Sequence, residues 1–406
     1  MTRILMINSG KAEALDELRL VAPGAHVDVL TEPAYRAQYP GDAHLTFVDD
    51  IGDLTAVRQA ALRMLADHPI DHVVAPSERS VPAGGYLRSY LGLPGIGFEV
   101  ANRFTNKAVM KAALTRAGLP VAAYRVAAGL PAAVRAAHEL GGPVVLKPAF
   151  GTGSMNVHGF TGAAELADFA ASAAGDTLRR AACPLLVERM VEMSAEYHSD
   201  AIVRDGRLVF ASVGRYLVSQ LDPVGRLNGS YLLPGQRPES DAVRRLHESV
   251  VTALGLRDGV THLEVYQAGT ELVVGEISCR PAGGGITDMI KAAYGVDLWE
   301  AFNRVSLGLP APTVPARPAR DGLVAVCLLP VRPGRVKAVT GAEELSGLDG
   351  VISASVRVRP GSVIGARLHS ASAAGTVLIE ATDADLLHKR IDLVAERFRL
   401  DLEPLG

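Results

Sequence analysis

Two lysines, a glycine-rich turn and a pair of glutamates stand in the middle of this sequence at spacings that suit polyphosphate chemistry. Lys107 opens a helical stretch directly after Asn106, and Lys147 ends the apolar run Val144-Val145-Leu146 just before Pro148. The turn Gly151-Thr152-Gly153-Ser154 follows. Ammonium groups neutralise phosphate oxygens, and glycines let backbone N–H groups converge on them. Either lysine could instead be a solvated surface residue, but a lysine that terminates an apolar strand is poorly placed for that role.

Glu264 and Glu276 sit in two further apolar runs, 261–266 and 271–277, joined by the turn Gln267-Ala268-Gly269. Each carboxylate is costly in such a strand unless it meets a cation. Side by side on adjacent strands they form a hard-oxygen pair suited to Mg2+, shared with phosphates. As edge-strand residues they would merely face water. Arg280 places a planar guanidinium near a transferred phosphoryl group or a developing oxyanion. Gly283-Gly284-Gly285 leaves room for substrate beside the backbone, or forms an ordinary turn. His262 shares a strand face with Glu264 and either orients substrate or is a satisfied core histidine. Glu78 follows the strand 72–76, at the end where parallel α/β sheets receive ligands. Its carboxylate could pair with a substrate ammonium while Arg79 reads a carboxylate; the alternative is an exposed ion pair.

These side chains need a frame. The first hundred residues alternate apolar strand and amphipathic helix, at 4–7, 12–19, 27–30, 54–66 and 71–76. That order predicts a doubly wound parallel sheet. Ser9-Gly10-Lys11 after the first strand lacks the phosphate-loop and dinucleotide fingerprints and reads as a turn. Further on, a helix over 107–117 ends at Gly118 with Pro120 beyond. Strands near 143–147 and 184–188 accompany an alanine-rich helix over 131–140. Antiparallel strands follow at 201–203, 208–213, 261–266 and 271–277, with Asp205-Gly206 as a second hairpin turn. The proline-rich stretch 310–318 predicts a linker, before short strands and a final helix over 385–397. No internal repeat is present.

With 48% hydrophobic and 21% charged residues over 406 positions, the chain reads as a soluble globular protein of two or three domains. A net charge of -3 gives no electrostatic footprint for nucleic acid or an anionic membrane. No apolar run approaches the roughly 20 residues of a bilayer span, and the N-terminus lacks signal-peptide features. Cys183, Cys279 and Cys327 stand far apart without metal-site spacing or a neighbouring base, which fits a reducing, cytoplasmic setting.

In this order, over about residues 100–310, the motifs together resemble the ATP-grasp superfamily. The resemblance implies an α/β ATP-grasp architecture: a doubly wound N-terminal domain over 1–103, an ATP-grasp domain over 104–310, and a small C-terminal α+β domain over 319–406. The ATP-grasp domain would comprise an antiparallel-sheet core and a lid over about 121–187. It further implies that Lys107 and Lys147 bind phosphates and that residues 151–155, with Gly151, Gly153 and Ser154, form a flexible lid loop. Glu188 to Val191, including Met190, would read adenine largely through the backbone, and Glu196 would bind the ribose. Glu264 and Glu276 would hold magnesium. The family usually carries Asn two residues past the second glutamate; Ser278, a shorter and weaker ligand, stands there. The segment Arg280-Pro281-Ala282-Gly283-Gly284-Gly285-Ile286 looks like that of the L-amino-acid ligase group. So do Pro333-Gly334-Arg335-Val336 and Arg359-Pro360-Gly361-Ser362-Val363-Ile364.

The implied activity is an ATP-dependent carboxylate–amine ligase that forms an amide or peptide bond through an acyl phosphate and releases ADP and phosphate. ATP and Mg2+ are the implied cofactors, with Mn2+ able to substitute. Arg280 and Glu276 would lie at the reaction centre, with Glu78, His262, Gly283 and Gly284 around the substrate. Amino acids or short peptides are the implied substrates, with no nucleic-acid or membrane partner, and a homodimer is left open. Two alternatives stand beside this reading: acyl transfer to a thiol, and a nucleotide-binding module without turnover.

Overall fold

Alternating apolar strands and amphipathic helices build the N-terminal sheet. The computed structural model describes residues 1–221, 225–235, 237–315, 318–366, 368–370 and 372–405. In it Arg3–Ile7, His26–Thr31, His44–Phe47 and His72–Val74 run parallel, in the order third, second, first, fourth. Helix Leu54–Asp67 starts at Asp53, whose side chain accepts from the N–H groups of Thr55 and Ala56. The short strand His44–Phe47 escapes sequence reading because its four residues mix polar and apolar types.

The central sheet has eight strands. From one edge they are Glu271–Ser278, Gly259–Ala268, Ala195–Arg204, Arg207–Tyr216, Asn228–Leu232, Leu323–Leu329, Gly375–Ala381 and Val351–Val356. The last three come from residues beyond the proline-rich stretch, and Leu323–Leu329 is the fully buried one. That strand pairs with Asn228–Leu232, so the C-terminal residues extend the central sheet. Ala316 and Arg317 of the expected linker lie outside the described residues; just after them, Ala319 N–H donates to Ala293 O at 2.8 Å.

A separate four-stranded antiparallel sheet contains Tyr124–Ala127, Leu185–Arg189, Val144–Pro148 and His158–Phe160, in that order. Helix Leu130–Leu140 packs on it through Ala133 and Ala137, whose small side chains let the backbones approach Leu146 and Val187. Val274 N–H donates to Pro120 O at 2.8 Å, which roots this sheet on the edge strand carrying Glu276. Helices Ile286–Tyr294 and Leu298–Ser306 share one core with the N-terminal and central sheets. Among the described residues no helix is long and apolar enough to cross a membrane.

Candidate active site

The phosphate end of the site starts at one helix. Helix Lys107–Arg116 is capped by Asn106, whose side chain accepts from Ala108 and Val109 N–H. The cap fixes its first turn and aims Lys107 inward. Lys107 Nζ lies 2.9 Å from the Glu276 carboxylate and donates to Gly151 O at 2.9 Å. One turn later, on the same face, Lys111 is buried to 1% exposure and reaches Glu188 at 3.2 Å. Lys147 meets the same carboxylate at 2.8 Å. Burial alone would raise the Glu188 carboxyl, but the charges of Lys111 and Lys147 outweigh it and hold the group below the usual carboxylate range. Burial likewise disfavours the Lys147 ammonium, and Glu188 with Glu276 more than restores it.

This arrangement gives the Glu188 side chain partners that sequence reading did not anticipate. Its side chain is the counter-ion of two buried lysines, and next to it Met190 N–H is occupied by Pro143 O at 2.9 Å. Lys111 was missed, although its spacing of four from Lys107 puts both on one helix face.

Glu264 stands directly opposite Glu276 in the register of the edge hairpin. Two carboxylates so placed repel unless cations intervene. Lys107 attends Glu276, and His262 Nε2 lies 3.6 Å from Glu264. Beside them Ser278 is buried, and its Oγ has no hydrogen-bond partner. Two carboxylates and an orphaned hydroxyl on neighbouring strand positions make a donor set of hard oxygens, which fits Mg2+.

Behind the pair lies a polar network that sequence reading did not find. Asp200 is fully buried and accepts from His198 Nδ1 at 2.6 Å and from His262 Nδ1 at 2.8 Å. The second ring nitrogen of His198 meets Ser230 Oγ at 3.0 Å. Burial disfavours the His262 imidazolium, but Asp200 and then Glu264 push its pKa up to about 10. Its place between two carboxylates therefore favours the imidazolium, a charge that neither expected role had assigned to it. Gly214 makes room for the network, since a Cβ there would lie 2.2 Å from His198 Nε2. The signal in the sequence was His198-Ser199-Asp200, alternate residues of one strand that share a face.

Arg280 Nε donates to Glu78 Oε2 at 2.7 Å. Glu78 is 8% exposed, and its other oxygen, Oε1, is buried with no partner. Burial pushes the Glu78 carboxyl up, and Arg280 offsets part of that rise. Arg79 does not join it: its guanidinium is held by Glu32 at 2.6 Å and Asp50 at 2.8 Å, so the expected carboxylate reader is occupied.

Two cavities meet at these side chains. One is lined by Lys107, Lys147, Gly151, Gly153, Ser154, Glu188, Met190, Val191, Glu196, Glu276 and Ser278. The other, of about 440 Å³, reaches the N-terminal sheet and is lined by Glu78, Gly283 and Gly284. Arg280, His262 and Glu264 border both. Glu196 accepts from Gln220 N–H at 3.0 Å. The loop 151–155 lies over the junction: Ser370 N–H donates to Gly153 O at 3.1 Å and Ser154 Oγ to Gln220 O at 3.4 Å. Gly153 and Ser154 both adopt left-handed backbone, at φ 62° and 57°, the turn geometry in which successive N–H groups form an anion nest. Cys279 stays outside the chemistry, its thiol pushed up to about 12 by burial.

The chain is similar to proteins that join amino acids. Residues 326–403 match a family model described as L-amino acid ligase C-terminal domain 2. An L-arginine-specific L-amino acid ligase of Bacillus subtilis is 34% identical over 370 residues, which cover 90% of this chain and 89% of that protein. Among solved structures, an L-amino acid ligase from Bacillus licheniformis superposes with a TM-score of 0.78 at 18% identity over 99% of both chains. A carboxyaminoimidazole ribonucleotide synthase from Aspergillus clavatus, complexed with ATP, gives a TM-score of 0.71 at 17% identity, covering 98% of this chain and 99% of that one.

Proposed function

The chain belongs to the L-amino acid ligase family, with the ATP-grasp fold, and is an ATP-dependent ligase that forms an amide or peptide bond; on that premise we propose how its own residues carry the reaction. One observation carries the reading: Arg280, His262 and Glu264 stand where the lysine-lined cavity, with Glu276 on its wall, opens into the second one. A carboxylate entering from the second cavity therefore meets a polyphosphate entering from the first. Lys107 and Lys147 bind the phosphates, and the loop 151–155 closes over them. Glu196 faces the ribose. Glu264, Glu276 and Ser278 would hold Mg2+, which would supply charge neutralisation for the phosphates.

Arg280 binds the carboxylate to be activated and holds it in line with the γ-phosphorus. A carboxylate oxygen forms the new P–O bond, and the bond to ADP breaks. The acceptor nitrogen then attacks the acyl carbon, and phosphate leaves with that carboxylate oxygen and takes up the amine proton. Loop 151–155 keeps water from the intermediate while the amine arrives. The relatives are named as L-amino acid ligases, which leaves acyl transfer to a thiol without support. The mechanism is tested by product analysis with amino-acid mixtures. ADP and phosphate should appear in equal amounts with the amide; AMP and pyrophosphate as main products would overturn the acyl-phosphate route.

Glu78 supplies the second anchor, with its unpartnered Oε1 taking the ammonium of the activated amino acid. Glu78→Gln keeps the size and removes the charge. It should raise KM for that amino acid by roughly 10- to 100-fold, the range for a lost charged hydrogen bond, and leave KM for ATP nearly unchanged. Initial rates with each substrate varied in turn decide this. Equal changes for ATP and amino acid would assign Glu78 to holding Arg280 alone.

A further inference from the structure

The turn after the first strand carries a charge that the reaction above does not use. Lys11 lines the second cavity together with Ser9, Tyr35 and Arg280. Its backbone is clamped by one side chain: Asn8 Nδ2 donates to Lys11 O at 2.9 Å, and Lys11 N–H donates to Asn8 Oδ1 at 3.1 Å. Asn8 is itself fully buried. Gly10, at φ 71°, makes the turn, and a Cβ there would meet Gln38 Oε1 at 2.6 Å. Tyr39 closes it from behind by accepting from Gly10 N–H at 3.3 Å. A turn built this firmly holds the lysine in one place.

The neighbouring acid is occupied. Glu32 takes Arg79 at 2.6 Å through one oxygen and Ser9 Oγ at 2.7 Å through the other. Among the described residues the Lys11 ammonium has neither a hydrogen bond nor an ion pair. Burial disfavours the ammonium most, Glu13, exposed on the first helical turn, favours it, and Arg280 and Arg357 oppose it. The other formal charges bordering this cavity have partners at short range: Glu78 with Arg280, Arg79 with Glu32 and Asp50, and His262 with Asp200 and Glu264. A half-buried cation beside further cations is an anion site.

We propose that Lys11 binds a substrate carboxylate other than the one that is activated. This rests on the ligase reading and adds the substrate chemistry it lacks. Two sources supply that group: the side chain of an acidic amino acid in the donor place, or the free α-carboxylate of the acceptor amino acid. If the donor side chain is the source, an acidic side chain is held at this end of the cavity and a guanidinium side chain is repelled from it.

The test is steady-state ADP release by wild type, Lys11→Met and Lys11→Arg. Donors are compared as the pairs aspartate with asparagine and glutamate with glutamine, and acceptors as amino acids with their α-amides. If the side chain is the source, wild type prefers the acid donor over its amide by roughly 10- to 100-fold in kcat/KM, and Lys11→Met abolishes that preference. If the acceptor is the source, Lys11→Met raises KM for free amino-acid acceptors by a similar factor and leaves the α-amides unchanged. Lys11→Arg retains most of either effect, and KM for ATP stays constant throughout. Equal responses of acids and amides to Lys11→Met, for donors and acceptors alike, would overturn the proposal. Lack of ADP release with every amino acid would overturn the ligase reading beneath it, and the proposal with it.

Discussion

Replacing Glu276 with glutamine is expected to lower kcat for ADP release by roughly 10³-fold, about 4 kcal/mol of transition-state stabilisation. Glu276 does two things that glutamine cannot. It contributes one of the two opposed carboxylates at the proposed metal position, and it holds Lys107 at 2.9 Å. With the amide, a bound Mg2+ would lose an anionic ligand, and the lysine would lose the charge that sets its direction toward Gly151. The fold should persist, because Glu276 is only half-buried and the strand's core contacts come from Val274 and Ile277. Rates titrated with Mg2+, alongside thermal melts, separate these effects. The expected result is a much weaker Mg2+ response with Tm close to wild type. A wild-type rate would return Glu276 to the status of a surface carboxylate.

The largest effect on stability is expected at Glu188. Glu188→Leu leaves Lys111 and Lys147 as buried cations without their counter-ion, and removal of one member of such a set costs about 3–5 kcal/mol. Because the chain has more than one core, the melt need not be two-state, and the drop should be confined to the transition of the four-stranded sheet and its junction. Two further measurements identify the cause. Lys111→Met in the same background removes one stranded charge and should recover part of the loss. ATP, whose phosphates supply replacement anions, should raise the variant's Tm by more than it raises the wild type's.

The pH dependence of that loss has a defined sign. The folded Glu188 pKa lies below the ordinary value, so its contribution is complete above the unfolded value of about 4.3 and disappears as pH falls through the lower folded value. Between pH 5 and 8 the carboxylate's contribution to the difference between wild type and Glu188→Leu should be constant. An unaltered melt in Glu188→Leu would show that the two lysines find other partners or lose their protons on burial.

Much of the site was legible because each clue was local. Lys147 ends an apolar strand, Glu264 and Glu276 interrupt two apolar runs across one short turn, and Arg280 follows at once. Such positions are costly without a ligand, so residue type and spacing alone marked them. Lys111 was within reach of the same reasoning through its helical spacing, but nothing nearby in sequence hinted at Glu188 as its partner.

What was not legible depended on approach between distant segments. Asp200 holds His262 from 62 positions away, and Arg280 meets Glu78 across 202. Lys11 looked like a turn residue because its own neighbourhood is only a turn; the cavity it lines is completed by residues around 280 and 370. The run Leu323–Leu329 was recognisable as buried, whereas its pairing with Asn228–Leu232 was not, since strand order is set by which faces and edges meet in the folded core.

By itself, then, the sequence determined the period of each element, the caps and turns that bound it, and which side chains could not be idle, because those depend on bonds and contacts within a few residues. Only the tertiary structure decided which charge neutralises which: Glu188 between two lysines, Asp200 between two histidines, and Lys11 left without a partner. An ion pair's energy depends on distance and burial, and the chain sets both only when its sheets close on one another.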